Sequence, residues 1–400
     1  MASILNCGLE CGLITMASGS GPHVTTQGST AATISTTTFR SGLRSLRTNT
    51  TLSSCYGTIN QGIGGNTVLV FRAYLYITTV PTVSRVIQAG EISGGTVYGL
   101  GYNTADSKWY PAYDDNTTVT FGSTGVTLAT STWHRIDYKI DVSANPHLLD
   151  VTVNGTALTQ LSRAVAATTV SSVRLGSSSA LSSFDVYHDD FKVSVTSGDY
   201  PLGGGYSLSS IPNADGTHNV AGANDFERTL TGTDITNATT TAYQLVDERP
   251  LSDTISDFIS GIAPSNSTDY VEIAYENSTE SAPPVCVEGI ALLHDADTAG
   301  ACAVTVTLRD TNGGTTANIM TGDIGNANIN PYRVHFTTIP GTSNAWTLTA
   351  FNALVTRFLV SDAAPDPYLD SLMLEAEYAD ASTPASKPFL QNRWNRWPRR

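Results

Sequence analysis

Apolar and polar residues alternate with a period of two along most of this chain. The alternation is clearest in Trp133-His134-Arg135-Ile136-Asp137-Tyr138-Lys139-Ile140 and in Leu149-Asp150-Val151-Thr152-Val153. A period of two sends successive side chains to opposite faces of a strand, so each segment predicts a strand with one buried face. Asn154-Gly155 follows at once, and both residues tolerate the positive φ that a two-residue hairpin turn demands. Shorter segments of the same kind at 32–39, 45–47, 67–78, 84–90, 97–103, 109–113 and 126–128 predict further strands. Their short length and even spacing are those of a sandwich or jelly roll.

A second series runs through 270–275, 285–293, 303–308, 332–336, 346–348, 354–360 and 369–378, with Asn312-Gly313-Gly314 at a hairpin tip. Helix is expected only at 252–259 or 351–354. Cys286 and Cys302 flank an expected hairpin tip near Asp297, a register that sets Cys286 opposite Leu308 or Arg309. Between the two series, Asp199-Tyr200-Pro201-Leu202-Gly203-Gly204-Gly205 suits neither strand nor helix, because proline lacks the donor and glycine loses the most backbone entropy on ordering. Four hundred residues also exceed one ordinary core. The expected organisation is an all-β chain of two β-sandwich domains: 1–198, a short linker at 199–205 with some freedom of movement, 206–382, and a C-terminal arm at 383–400.

In the first unit, the Trp133-His134-Arg135 opening, the Val151-x-Val153-Asn154-Gly155 hairpin, the Leu175-Gly176 strand end and Asp189-Asp190-Phe191-Lys192-Val193 resemble the concanavalin A-like, laminin-G-like jelly roll. In the second, the ordered phrases Tyr243 to Pro250, Ser267 to Val271, Gly289 to Leu293, Thr338 to Thr347, Phe351 to Phe358 and Leu372 to Tyr378 resemble a module of tailed-bacteriophage virion structural proteins. The two resemblances together imply a virion component, a capsid decoration or a tail- or fibre-associated part, that works by assembling with copies of itself and with other virion proteins.

Composition narrows the partners. Thr, Ser, Val and Gly dominate over Lys and Glu, as half-buried pleated surfaces require. The net charge is −14, and five of the 21 basic residues (Lys387, Arg393, Arg396, Arg399, Arg400) lie in 387–400, which holds no acid. An acidic body repels phosphate backbones, so nucleic acid is not an expected partner. No apolar run is long enough to span a membrane, and Met1 to Cys7 lacks the basic and apolar segments of a secretory signal, so a protein made in the host cytoplasm without Sec export is expected.

Candidate chemistry is sparse. The Glu-x-Asp-x-x-Glu ladder that gives a jelly-roll glucanase its two carboxylates is missing, as are a Gly-x-Ser-x-Gly elbow and a phosphate loop, and no enzymatic activity, catalytic residue or cofactor is expected. Asp185, His188, Asp189 and Asp190, and separately Asp114-Asp115-Asn116, have the oxygen donors that calcium takes at loop rims, but acids at such positions are ordinarily solvent-exposed and alternate between faces. Cys7 and Cys11 have the closeness of zinc ligands without a second pair, and reduced, buried thiols are the expectation for all five cysteines. Trp109, Tyr110 and Tyr113 beside Asp114 and Asp115 form the candidate glycan site, since sugar rings stack on aromatic faces and acids accept hydroxyl hydrogen bonds. A carbohydrate-binding adhesin facing host-surface glycans is the alternative to the structural reading. Phe389, Arg393, Trp394, Arg396, Trp397, Arg399 and Arg400 form a candidate partner-binding arm, because such residues join large apolar area to planar charge. Removal of 387–400 is expected to weaken assembly in native mass spectrometry while leaving the melting of both domains unchanged.

Overall fold

The computed structural model describes residues 3–7, 9, 24–60, 62–178, 182–222, 225–228, 233–247, 258–261, 268–295, 303–324, 330–360 and 367–380. These form four antiparallel sheets. Sheet I runs in the order Thr156–Ala157, His147–Val153, Trp133–Asp141, Val68–Thr79, Phe184–Ser194, Ser45–Thr50 and Thr33–Ser35, with Ser3–Cys7 beside Phe184–Ser194. Sheet II runs in the order Val119–Phe121, Lys108–Asp114, Val97–Asn103, Arg85–Ile92, Val170–Ser177, Cys55–Ile59 and Thr25–Gln27. The two close over one apolar core built from Leu69, Phe71, Leu75, Tyr138, Leu175 and Phe191 among others. The chain is therefore all-β, and its first sandwich is a jelly roll.

Sheets III and IV take up the chain from Gly205 to Ala379 around a second core. Sheet III carries Cys286–Asp295 between Asn330–Phe336 and Pro367–Ala379. Sheet IV carries Ala303–Asp310 between Thr315–Asp323 and Leu354–Val360. The expected hairpin across Asp297 is thus corrected: Cys286 pairs with Glu377, not with Leu308 or Arg309. The chain passes from sheet III to sheet IV between these two strands, so their apolar sides meet across the core instead of lying side by side.

Local signals resolve as follows. Asn154 and Gly155 take φ of 50° and 86°, the left-handed pair that joins His147–Val153 to Thr156–Ala157. The sole α-helix among the described residues, Leu348–Asn352, starts where the Thr347 side chain accepts from the Ala350 N–H, and Leu354 already belongs to the next strand. The other expected helix lies outside the described residues except at its end, where Phe258 precedes the strand Ile259–Gly261. The 126–128 segment contributes a single bridge, Trp109 to Val126. No helix among the described residues is long and apolar enough to cross a membrane.

The first core holds a polar chain that joins its two sheets. Tyr138 from sheet I donates to Gln88 Oε1 of sheet II at 2.8 Å, Gln88 Nε2 lies 2.8 Å from His188 Nδ1, and His188 Nε2 lies 3.1 Å from Thr48 Oγ1. Because Gln88 spends its oxygen on Tyr138, its amide donates to Nδ1, and the His188 proton sits on Nε2. Burial pushes His188 down to about 3. Its folded value lies below the ordinary 6.5, so stability is lost as pH falls through that interval, where the unfolded chain takes up a proton that the core refuses. Tyr138→Phe keeps the ring stack on Phe71 (4.3 Å, 9°) but strands the Gln88 oxygen; urea denaturation should show a loss of about 1–3 kcal/mol.

Candidate functional site

The side of sheet I that faces away from its core is organised in rows by the strand register. Asp137, Arg72 and Lys192 form one row, and Arg135, Tyr74 and Asp189 the next. Trp133, Tyr76, Tyr187 and Arg47 form a third. The first two rows lie under the second sandwich. The third is open.

The covered half is ionic. Sheet III turns Cys286, Glu288, Glu375 and Glu377 toward sheet I, so the four sheets stack in the order II, I, III, IV, with apolar cores at the two ends and a charged layer between. Glu377, from the last strand, meets Arg72 Nη1 at 2.8 Å and Lys192 Nζ at 2.5 Å, with side-chain exposures of 2% or less on all three. Burial alone would raise the Glu377 carboxyl, but Arg72 and Lys192 outweigh it and hold it at about 2. Burial likewise opposes the charge on Arg72, and Glu377 overcomes it. The Cys286 thiol donates to the same carboxylate at 3.2 Å, and burial followed by that negative charge pushes the thiol well up.

Arg40 makes a second clamp. Its guanidinium meets Asp190 Oδ2 at 2.7 Å, the Gly205 carbonyl at 2.9 Å and Asp380 at 2.9 Å, and it lies 3.5 Å above the Tyr74 ring. Tyr74 donates to Asp380 at 2.8 Å, and Asp190 accepts from Ser41 Oγ at 2.6 Å and from the Ser207 N–H at 2.8 Å. Gly204 and Gly205, two of the three glycines expected to give the linker its freedom, are pressed into this layer. A Cβ on Gly205 would stand 2.7 Å from Glu377 Oε1 and 2.8 Å from Arg72 Nη1, and Gly205 itself opens the strand Gly205–Ser210. Glycine is needed here for close approach rather than for movement.

This arrangement corrects the reading of the acidic cluster. Asp189 and Asp190 are fully buried, not solvent-exposed, because a bulge with Asp190 at φ 49° turns both into the clamp. Asp185 is held in two bonds of 2.9 Å by Arg47, and His188 faces the core. Asp114 and Asp115 cap their own turn, accepting from the N–H groups of Asn116, Thr117 and Thr118, and Asp115 pairs with Arg163 at 3.3 Å. No group of three metal-ligating side chains occurs among the described residues.

The candidate glycan site of Trp109, Tyr110, Tyr113, Asp114 and Asp115 does not assemble. On Lys108–Asp114 the residues alternate, so Trp109 (1% exposed) packs on Tyr102 in the core and Tyr113 turns inward against Tyr98 and under Arg163. Tyr110 points the other way, bonded to Asp106 and beside Phe121. The arm residues Phe389, Arg393, Trp394, Arg396, Trp397, Arg399 and Arg400 lie outside the described residues, as do Cys11 and Cys302.

The structure instead brings together rings that were not singled out. Trp133 and Tyr76 are half-buried with centroids 5.3 Å apart, Tyr187 stands 5.8 Å from Tyr76, and Arg47 lies 5.5 Å over Tyr187. The Trp133 indole N–H and the Tyr76 and Tyr187 hydroxyls have no hydrogen-bond partner among the described residues. The signal was present: Trp133, Tyr76 and Tyr187 occupy the polar phase of alternating strands whose other phase fills the core. Large rings on that phase mark a surface rather than a core.

No family model matches this sequence, and no curated protein matches it. Among solved structures, it is similar to the tandem CBM22-1-CBM22-2 domain of Paenibacillus barcinonensis Xyn10C, with 10% identity over 94% of this chain and 97% of that one at a TM-score of 0.26. It is also similar to domain 4 of AbnA, a GH43 extracellular arabinanase from Geobacillus stearothermophilus, with 12% identity over 43% of this chain and 82% of that one at 0.34. A third is a mutant Trypanosoma rangeli sialidase, with 14% identity over 41% of this chain and 27% of that one at 0.31. At TM-scores this low the likenesses carry no argument, and the β-sandwich assignment rests on the strand pairing.

Glu377→Gln removes the carboxylate that pairs directly with both buried cations, Arg72 and Lys192, and should cost about 3–5 kcal/mol in denaturant titration. The native carboxyl lies below the ordinary 4.5, so its contribution is present above that value and lost as pH falls toward about 2. Stability of the variant should therefore change less with pH across that interval.

Proposed function

We propose that this chain is a non-catalytic carbohydrate-binding protein whose site is the partly open row Trp133, Tyr76, Tyr187 and Arg47, with Trp133 and Tyr76 as its accessible rings. The observation that carries this reading is the row itself: three rings on one cross-strand line, on the polar side of the sheet, with their polar ends unpartnered among the described residues. A sugar offers an apolar C–H face to a ring and hydroxyls to its rim, and the row supplies both complements. The Arg47–Asp185 pair adds a planar donor and a carboxylate at one end.

A second reading is a part of a tailed-phage virion acting by protein–protein assembly. The charged layer of Arg72, Lys192, Glu377, Arg40, Asp190 and Asp380 joins the two sandwiches, which is compatible with such a part. The two readings are compatible, since a particle-bound protein can present a glycan site on its open face. Copurification with particles and native mass spectrometry test the second.

On a glycan array, the wild-type chain should bind at least one glycan, Trp133→Ala should lose about tenfold or more in affinity for it, and Tyr110→Ala should bind as wild type. Loss with Tyr110→Ala and not with Trp133→Ala would move the site to sheet II.

A further inference from the structure

We infer that the row takes a neutral polysaccharide as a single free chain, gripped along its length across the strands and not by an end or a charged group; this rests on the carbohydrate-binding reading above. Three features of the row carry it.

The first is charge. The two cations that border the rings are already paired: Arg47 with Asp185 through two bonds of 2.9 Å, and Arg135 with Asp137 at 3.0 Å. The Arg40 guanidinium, in the adjoining clamp, is shared between Asp190 and Asp380. A carboxylated or sulfated sugar would have to break one of these pairs and approach a chain of net charge −14. A neutral sugar needs neither, because the planar Arg47–Asp185 pair still offers donors and acceptors at its rim.

The second is length. From the Trp133 strand to the Arg47 strand the row crosses three inter-strand gaps, roughly 14 Å, which exceeds one sugar ring. Past Arg47 the register leads only to the small, exposed Thr33. The row is a line to lie along.

The third is twist. Trp133 and Tyr76 are inclined by 51° and Tyr76 and Tyr187 by 87°, so no single plane lies flat on all three rings. The face of a crystalline fibre cannot follow them. A separate chain can rotate from one residue to the next and do so.

Affinity electrophoresis of the full chain separates the outcomes. Gels would hold hydroxyethylcellulose, xylan, arabinan or starch as neutral chains and alginate or heparin as anionic ones, and sedimentation with microcrystalline cellulose would test a flat surface. At least one neutral polymer should slow the protein, alginate, heparin and the crystalline powder should not retain it, Trp133→Ala should migrate as in a polymer-free gel, and Trp133→Phe should keep part of the retardation. Because Trp133 lies on the outer side of its strand, an unchanged melting curve in both variants confirms that lost retardation is lost binding; if Trp133→Ala alone fails to fold, the Trp133→Phe result decides. Retardation by alginate or heparin alone, or retention only on the powder, would overturn the inference and leave carbohydrate binding standing. Neutral-gel retardation unchanged in Trp133→Ala would overturn the assignment to this row, and no retention on any probe would overturn both.

Discussion

A carboxylate moved from water into a protein interior loses several kcal/mol of hydration, and it stays ionised only when cations replace the water it gave up. Glu377 is in that position, and its two replacements, Arg72 and Lys192, come from the other sandwich. Neither domain can bury its share of this layer alone: without the second sandwich, Arg72 and Lys192 lack their anion, and without the first, Glu377 lacks its cations. The relative placement of the two domains follows from this mutual requirement. The rest of the layer is arranged around it, with Gly205 shaved to admit the pair, Arg72 also donating to the Asp190 carbonyl, and Cys286 completing the carboxylate's bonds.

The same face of sheet I has a second, chemically different half. Moving along the strands, two residues at a time, the outward side chains pass from Arg72 to Tyr74 to Tyr76, and on the neighbouring strand from Asp137 to Arg135 to Trp133. Charge gives way to rings over two steps. Tyr74 belongs to both halves: its ring lies under Arg40 and its hydroxyl reaches Asp380. Docking of the second sandwich therefore ends where the aromatic row begins, and it leaves that partly exposed row uncovered.

Much of the fold was legible. Period-two alternation predicted the strands at 133–140, 149–153, 97–103 and 270–275, and the Asn154-Gly155 turn was readable because few residue pairs accept two successive positive φ values. The candidate site was not. Trp109, Tyr110 and Tyr113 are close in sequence, but strand geometry sends Tyr110 to the opposite side from the other two. Trp133, Tyr76 and Tyr187 are far apart in sequence and adjacent in space. The burial of Asp189 and Asp190 was not legible for a related reason: acids on a polar phase carry no local sign that another domain covers them.

Local chemistry, then, decided by itself many of the strand segments, the Asn154-Gly155 turn and which face of those strands is apolar. Those properties depend on a residue and its near neighbours. Strand order, the passage from sheet III to sheet IV, the burial of a charged layer and the gathering of three rings into one row depend on pairings between residues dozens to hundreds of positions apart. Pairing partners compete at that range, and only the packing of the whole chain selects among them.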